Sequence, residues 1–267
     1  MSTTIDRHEA KVEQPFPEVR SVGLEAPWHW LQGGLDDLHR GGGTSLFYGA
    51  CFTLSGWLLY LVFQKAYALF AGLTTGFLLL GPLLAMGLYD ISRRLERGET
   101  PRLQPTLSCW RPNLANLGVF AAVLAVVMLL WARASMVVFA LFFDGGLPTF
   151  GDVLRALFAF QQPEFALVYF VVGGFFAAFV FAIAIIAVPL MLDRGTDAVT
   201  AGLASIAACA RNPGPLLLWA ACIVVLVGLS FATLFLGLVV VMPLVGHGTW
   251  YAYRDLVAPE PPPDRTA

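Results

Sequence analysis

The side chains best suited to chemistry in this chain lie in two short charged stretches. The first holds Asp90, Arg93, Arg94 and Arg97, and the second holds Tyr253, Arg254 and Asp255. Guanidinium groups bind carboxylates and phosphates, so both stretches suit ion pairs between helix ends and contacts with anionic lipid headgroups. Docking of a membrane or cytoplasmic protein partner is the alternative. We predict that the two stretches meet on one face of the protein and are its candidate contact residues.

Redox, metal-dependent and acid–base catalysis find little support in the sequence. A haem–copper centre needs several imidazoles inside the bilayer, yet His8, His29 and His39 precede the first long apolar segment and His247 lies near the end of the last. The four cysteines show no C-x-x-C spacing, and metalloprotease, serine-hydrolase and phosphate-loop motifs do not occur. We therefore predict no catalytic residue, no metal site and no cofactor, and we interpret the chain as a non-enzyme.

The composition places these residues in a membrane protein. Of the 267 residues, 58% are hydrophobic and 13% are charged, whereas soluble domains carry about 25% charged residues. The mean hydropathy is +0.72. The formal charge of −2, without a long basic run, excludes the electrostatic footprint of a nucleic-acid-binding protein.

Charge-free intervals indicate how many helices cross the membrane. A hydrocarbon core of about 30 Å requires about 20 apolar helical residues, and the intervals after Arg40, Lys65, Arg111 and Glu164 hold 24, 24, 21 and 28 uncharged residues. The interval between Arg211 and Arg254 holds 42, which suits a hairpin of residues 216–231 and 233–252 folded near Gly228 and Ser230. The alternative for this interval is one tilted span followed or preceded by an interfacial segment. We predict an all-α protein with six transmembrane helices in residues 27–257.

The distribution of cations indicates the orientation of these spans. Thirteen of the sixteen basic residues fall on the side that carries both termini, while Lys65 and Arg155 fall on the other side. Basic residues concentrate in cytoplasmic loops, so we predict cytoplasmic termini. Residues 1–26 and 258–267, which are polar and rich in proline, are expected to be disordered tails.

A threefold internal repeat is suggested by elements that recur along the chain. Each even-numbered span carries a proline followed by leucine near its cytoplasmic end, at Pro82, Pro189 and Pro243. Before each odd-numbered span comes an apolar stripe that suits an amphipathic helix in the membrane interface, followed by a glycine, proline or asparagine. The stripes are Trp28, Leu31, Leu35 and Leu38; Leu103, Leu107 and Trp110; and Val199, Leu203 and Ile206. The unit predicts three hairpins, in which the proline kinks are hinges, line a cleft or help the helices to splay.

Arg133 is the one charged residue that this layout places at the depth of a span. Charged residues within spans are functional candidates, and an anion or lipid phosphate would be the ligand of this one. Its position near the outer end of the third span favours a side chain that extends to the interface.

Three groups of residues carry a resemblance to a known family. They are the sequence from Trp30 to Leu38 with Ser45–Gly49, the sequence from Gly76 to Pro82 with Leu88–Gly98, and the sequence from His247 to Leu256. The chain resembles the bacterial family of integral membrane proteins called domain of unknown function 2189. The resemblance implies a six-span protein of the inner membrane without an established activity. Some members carry a cytochrome c oxidase label, which the positions of the histidines argue against.

Two functions are compatible with the sequence. The first is a non-catalytic scaffold or accessory subunit that acts through its cytoplasmic face and through membrane lipids, because the predicted spans lack Asp, Glu and Lys. The second is a carrier or channel for a neutral small solute or lipid, because many transporters are built from repeats with broken helices.

Overall fold

The computed structural model describes residues 16–65, 84–143 and 163–259, most of which are helical. The helices are α1 (Ala26–Lys65), α2 (84–96), α3 (Leu103–Thr106), α4 (Leu114–Phe142), α5 (Pro163–Ala184), α6 (Ala187–Arg194), α7 (Ala198–Arg211), α8 (Pro213–Ala232) and α9 (Leu238–Leu256). A short 3-10 helix, Arg111–Asn113, leads into α4.

Four stretches of the described chain are long and apolar enough to cross a membrane. They are Ala26–Leu61, Leu103–Phe142, Pro163–Arg194 and Pro213–Ala232. The chain is therefore an all-α membrane protein with several apolar helices. Most of the second predicted span, together with Pro82, lies outside the described residues, and the total of six spans remains a prediction.

The long final apolar interval forms two helices, α8 and α9, joined by residues 233–237. The connection follows Gly228 and Ser230, where the sequence places the turn, by a few residues. Leu234 and Phe235 adopt left-handed backbone angles, with φ of 53° and 66°. Their carbonyl oxygens accept hydrogen bonds from α1: Trp57 Nε1 donates to Leu234 at 2.7 Å and Thr53 Oγ1 to Phe235 at 3.3 Å. Side chains of the first helix thus hold this turn in place.

The first and last helices of the described chain pack closely along one another. A Cβ atom added to Gly34 of α1 would lie 2.6 Å from the Leu244 carbonyl oxygen and 2.8 Å from the Gly248 nitrogen. Because glycine has no side chain, it allows two helix backbones to approach each other closely in a membrane. Gly42, with φ of 50°, interrupts α1 and divides it into a segment before the kink and a segment after it.

Two of the three prolines that the sequence predicts to kink helices lie in the described residues. Pro189 lies in the first turn of α6, directly after the break at residues 185–186 that ends α5. Its ring nitrogen cannot donate to the Ile185 carbonyl, which explains why a continuous helix does not form there. Pro243 lies inside α9, which continues through it.

The predicted interfacial helices differ from one another in the structure. The first stripe belongs to the segment of α1 before the kink, and the third belongs to α7, where Val199, Leu203 and Ile206 are exposed as an interfacial stripe requires. The second prediction is wrong in extent, because α3 has four residues and turns occupy positions 107–110. Pro101 precedes this short helix and Pro105 is its third residue, and neither offers the backbone N–H that a longer helix would need at these positions.

The N-terminal tail predicted over residues 1–26 contains a structured part. Val19 pairs with Val257 in an isolated antiparallel bridge, and the Ala258 amide donates to the Glu18 carbonyl at 2.9 Å. Asn212, between α7 and α8, accepts from the Val22 amide and donates to the Arg20 carbonyl. Residues 16–25 therefore bind the end of α9 and the α7–α8 corner, while residues 1–15 and 260–267 lie outside the described ranges.

Candidate functional site

The two charged stretches singled out in the sequence lie together at one end of the molecule. Arg254 of α9 donates through Nε to Glu96 Oε1 of α2 at 3.0 Å, and its Nη1 lies 3.4 Å from Asp193 Oδ2 of α6. The C-terminal ends of three helices that are distant in sequence are thus joined through one guanidinium group. We call this end of the molecule the polar end.

Asp90 is the buried centre of the first stretch. Its side chain is fully buried, and its two oxygens bind Arg93 Nη2 at 2.5 Å and Arg94 Nε at 2.8 Å. Arg93 also donates to the Leu192 carbonyl of α6 at 2.9 Å, and Arg94 reaches Glu99 at 3.1 Å. Two cations at i+3 and i+4 on one helix face neutralise the carboxylate, which makes Asp90 a structural anchor.

The other predicted contact residues divide into buried and exposed groups. Tyr253 is buried and donates to Asp193 Oδ2 at 2.7 Å, while Asp255 accepts from Trp30 Nε1 at 2.7 Å. Both therefore tie α9 to neighbouring elements. Asp255, Arg97 and Arg254 are exposed at the surface of the polar end, where Arg254 is held by Glu96 and Asp193.

Arg133 lies far from this cluster. It is exposed on α4, twenty residues after Asn113, which corresponds to about 30 Å of helix at 1.5 Å per residue. Asn113 itself belongs to the polar end, because its amide donates to the Met191 and Thr196 carbonyl oxygens. Arg133 is therefore separated from the polar end by about one hydrocarbon thickness.

A second polar cluster, which the sequence did not reveal, lies between α1, α2 and α9. His247 is fully buried, and its Nε2 and Nδ1 atoms lie 2.9 Å from Ser45 Oγ and 2.8 Å from Ser92 Oγ. The buried Asp37 carboxylate lies close to Ser92 and accepts from the Tyr251 hydroxyl at 3.2 Å. We call Asp37, Ser45, Ser92, His247 and Tyr251 the His247 cluster.

A neutral imidazole has one N–H donor and one acceptor nitrogen, so at least one of the two serine hydroxyls donates to the ring. Ser45 and His247 are both fully buried. In this arrangement the cluster joins three helices.

The sequence offered two signals for this cluster. All five of its residues fall in the segments that carry the family resemblance, and His247 and Tyr251 lie four residues apart on the same face of α9. Neither signal indicates that His247 and Asp37, which are 210 positions apart, would meet. Among the residues that the structure describes, His, Cys, Asp and Glu nowhere gather in threes as a metal site would require.

Comparison with known proteins bears on this architecture and supplies no activity. No curated protein and no solved structure matches the chain. The family described as "Predicted integral membrane protein (DUF2189)" has a model that matches residues 69–193. This match confirms the resemblance and includes the segments 76–82 and 88–98, whereas the segments around Trp30 and after His247 lie outside it. Over residues 69–193, the chain is thus similar to a family of integral membrane proteins of unknown function.

Proposed function

We propose that the chain is a non-catalytic scaffold or accessory subunit of the bacterial cytoplasmic membrane, which acts through its polar end and through lipids. One observation carries this proposal. The charged groups of α2, α6 and α9 form a connected network, from Asp90 through Arg93 to α6 and from Asp193 through Arg254 to Glu96. Such a network fixes the helix ends relative to one another, as a docking platform requires.

Side chains fill the interior of the polar end, which favours a docking platform rather than a reaction site. Trp30, Trp219 and Trp250 are fully or almost fully buried, with the rings of Trp30 and Trp219 packed edge to face at 5.7 Å. The buried carboxylates Asp90 and Asp37 each have protein partners. A general acid or base needs access to a substrate, whereas these groups are enclosed by side chains.

Contacts at the polar end also support cytoplasmic termini and six spans. Arg194 donates to the Ala258 carbonyl, Arg211 donates to Ser21, and Arg40 donates to the Leu95 carbonyl. Cations therefore surround both ends of the described chain, as the positive-inside rule expects of a cytoplasmic face. An even number of spans satisfies this arrangement, and α9 together with the predicted span before Asp90 would bring the four apolar stretches to six.

Retention of a partner tests the proposal. The protein would be extracted in native-lipid discs and its companions identified by mass spectrometry. We expect a stoichiometric protein companion that the exposed Arg97→Glu variant loses and that Arg133→Glu, at the opposite end, retains. Absence of a companion from the wild-type discs, or equal loss from both variants, would contradict a docking role for the polar end.

A carrier for a neutral small solute or lipid is the second candidate. It is favoured by the interruptions of α1 at Gly42 and of the α5–α6 segment at residues 185–186, because transporters bind substrates at broken helices. Protein-dependent flux of neutral solutes into proteoliposomes would support the carrier. Flux equal to that of protein-free vesicles would leave the scaffold as the better proposal.

A further inference from the structure

An apolar groove of about 520 Å³ lies between α1 and α8. Its walls come from the segment of α1 before the kink, from the middle of α8 and from Leu244 of α9. They include Trp28, Leu31, Gln32, Leu35, Leu218 and Cys222. The volume falls within the range of about 300–1,000 Å³ that is typical of small-molecule sites.

In the segment of α1 beside the groove, one face is buried and the other is exposed. Trp30 and Leu38 are buried in the core, whereas Trp28 is 62% exposed and Leu35 is 45% exposed. The exposed face carries Trp28 and Leu35 of the apolar stripe that the sequence assigns to the membrane interface, whereas Leu38, its fourth member, faces the core. The groove therefore joins the exposed apolar face of α1 to α8 and is open to the outside of the protein.

The position of the groove along α8 matches one leaflet of the bilayer. Leu218 and Val225, which both line the groove, follow Asn212 by six and thirteen residues, or about 9 and 20 Å at 1.5 Å per residue. Asn212 belongs to the polar end through its bonds to Arg20 and Val22. Half of a hydrocarbon core measures about 15 Å, so the groove lies where lipid acyl chains of that leaflet begin.

A cation stands on the polar side of the groove. Arg211 ends α7 two residues before α8 begins; it is exposed and donates through Nε to Ser21 at 2.9 Å. Among the described residues, Arg211 forms no ion pair with a carboxylate. An apolar groove with a cation toward the aqueous face has the polarity of a phospholipid, whose phosphate is anionic and whose chains are hydrocarbon.

We propose that this groove binds one acyl chain of a phospholipid of the leaflet at the polar end, with the lipid phosphate at Arg211. A buried peptide segment would bring backbone N–H and C=O groups that require hydrogen-bond partners, and the lining offers few polar atoms. The proposal deepens the lipid contact of the proposed function. It is independent of a protein companion, which is detected separately in the same measurement.

Native mass spectrometry of the purified protein tests the assignment, with phosphatidylglycerol and phosphatidylcholine added in turn to delipidated samples. We expect one phospholipid molecule per protein to bind more tightly than any additional lipid. Ala221→Trp places a large ring in the groove, and we expect its apparent affinity for that lipid to fall about tenfold, the effect of losing roughly 1.4 kcal/mol of binding. Arg211→Gln is expected to weaken phosphatidylglycerol binding about fivefold, the effect of one basic residue near an anionic surface.

Val224→Trp is the matched control, because Val224 is 70% exposed on the same helix and does not line the groove. We expect its lipid occupancy and its melting temperature to equal those of the wild type. Equal lipid loss from both tryptophan variants would overturn the proposal, as would wild-type protein without a retained lipid. A retained peptide or protein that Ala221→Trp displaces would also overturn it. Arg211 does not line the groove, so Arg211→Gln tests the site even if the Ala221→Trp protein does not fold.

Discussion

Gly49 of α1 lies against the carbonyl oxygen of Val239 in α9, and no space remains between them for a methyl group. Val239 precedes Pro243 by four residues, so its carbonyl would normally accept the hydrogen bond that proline cannot donate. The close glycine places its Cα–H groups against this carbonyl oxygen, a weak contact that recurs between packed helices. The proline of α9 and the glycine of α1 are therefore parts of one helix–helix contact.

Gly49→Ala is expected to destabilise the protein by about 1–3 kcal/mol, the typical cost of forcing additional volume into a packed site. The added methyl would meet backbone atoms of α9, which cannot move aside as a flexible side chain can. Thermal unfolding in detergent, followed by circular dichroism, would measure the effect.

Gly118→Ala provides the control for this substitution. Gly118 lies in the interior of α4, and a Cβ atom added there would contact nothing within 4 Å. Since alanine favours helix over glycine by about 0.5–1 kcal/mol, we expect an unchanged or slightly higher melting temperature. A Gly49→Ala protein as stable as Gly118→Ala would show that α1 and α9 are not in close contact.

The sequence predicted a membrane protein with several apolar helices. It did not predict that α1 packs against α9. Apolar length and charge placement define each helix by itself. Neighbours in a membrane are selected by close packing rather than by hydrophobicity. Gly34 and Gly49 lie on either side of the kink at Gly42, so they do not form the regular small-residue spacing that would have marked an interface.

The same distinction applies to the polar end. That the stretch after Asp90 would meet the stretch after Tyr253 followed from their common side of the membrane and their similar surroundings. The His247 cluster did not follow, because Asp37, Ser45 and Ser92 are ordinary polar residues whose meeting depends on three-helix packing. Long-range hydrogen bonds of this kind leave no periodic pattern in the chain.

Ser92→Ala is expected to cost about 1–3 kcal/mol, because it removes a hydrogen-bond partner of the buried His247 ring at Nδ1. Ser45→Ala should cost a comparable amount through Nε2. Chemical denaturation in detergent would measure both. Ser55→Ala removes a hydroxyl that bonds within its own helix, to the Cys51 carbonyl, and should change stability by less than about 0.5 kcal/mol. Equal effects of all three substitutions would show that His247 is not held by the two serines.

Asp90→Asn is expected to destabilise the protein by about 3–5 kcal/mol, since removal of one member of a buried ion pair leaves the other charge uncompensated. The charge left behind would be that of Arg93, whose side chain is mostly buried. Glu99→Gln removes a partner of Arg94 that is largely exposed, and such pairs contribute about 0–1 kcal/mol. Unfolding titrations that gave both variants the same midpoint would contradict the anchoring role of Asp90.

The N-terminal cap of α7 predicts a dependence of stability on pH. Asp197 accepts from the Val199 and Thr200 amides at 3.0 and 2.9 Å. Its pKa is lowered from 3.8 by hydrogen bonds from the Thr200 side chain and from these amides. Because the folded-state pKa is depressed, the contribution of the carboxylate is fully present above the unfolded pKa and is lost as the pH falls through the folded value.

Asp197→Ala should therefore lower stability by about 1 kcal/mol at neutral pH, the usual effect of losing such a cap. The difference from the wild type should shrink as the pH falls below the unfolded value of 3.8. Asp197→Asn keeps a capping oxygen without an ionisable group, so it should retain most of the stability and show no such decrease. Melting temperatures of the three proteins between neutral and acidic pH would decide, and a constant difference between wild type and Asp197→Ala would exclude the ionised cap.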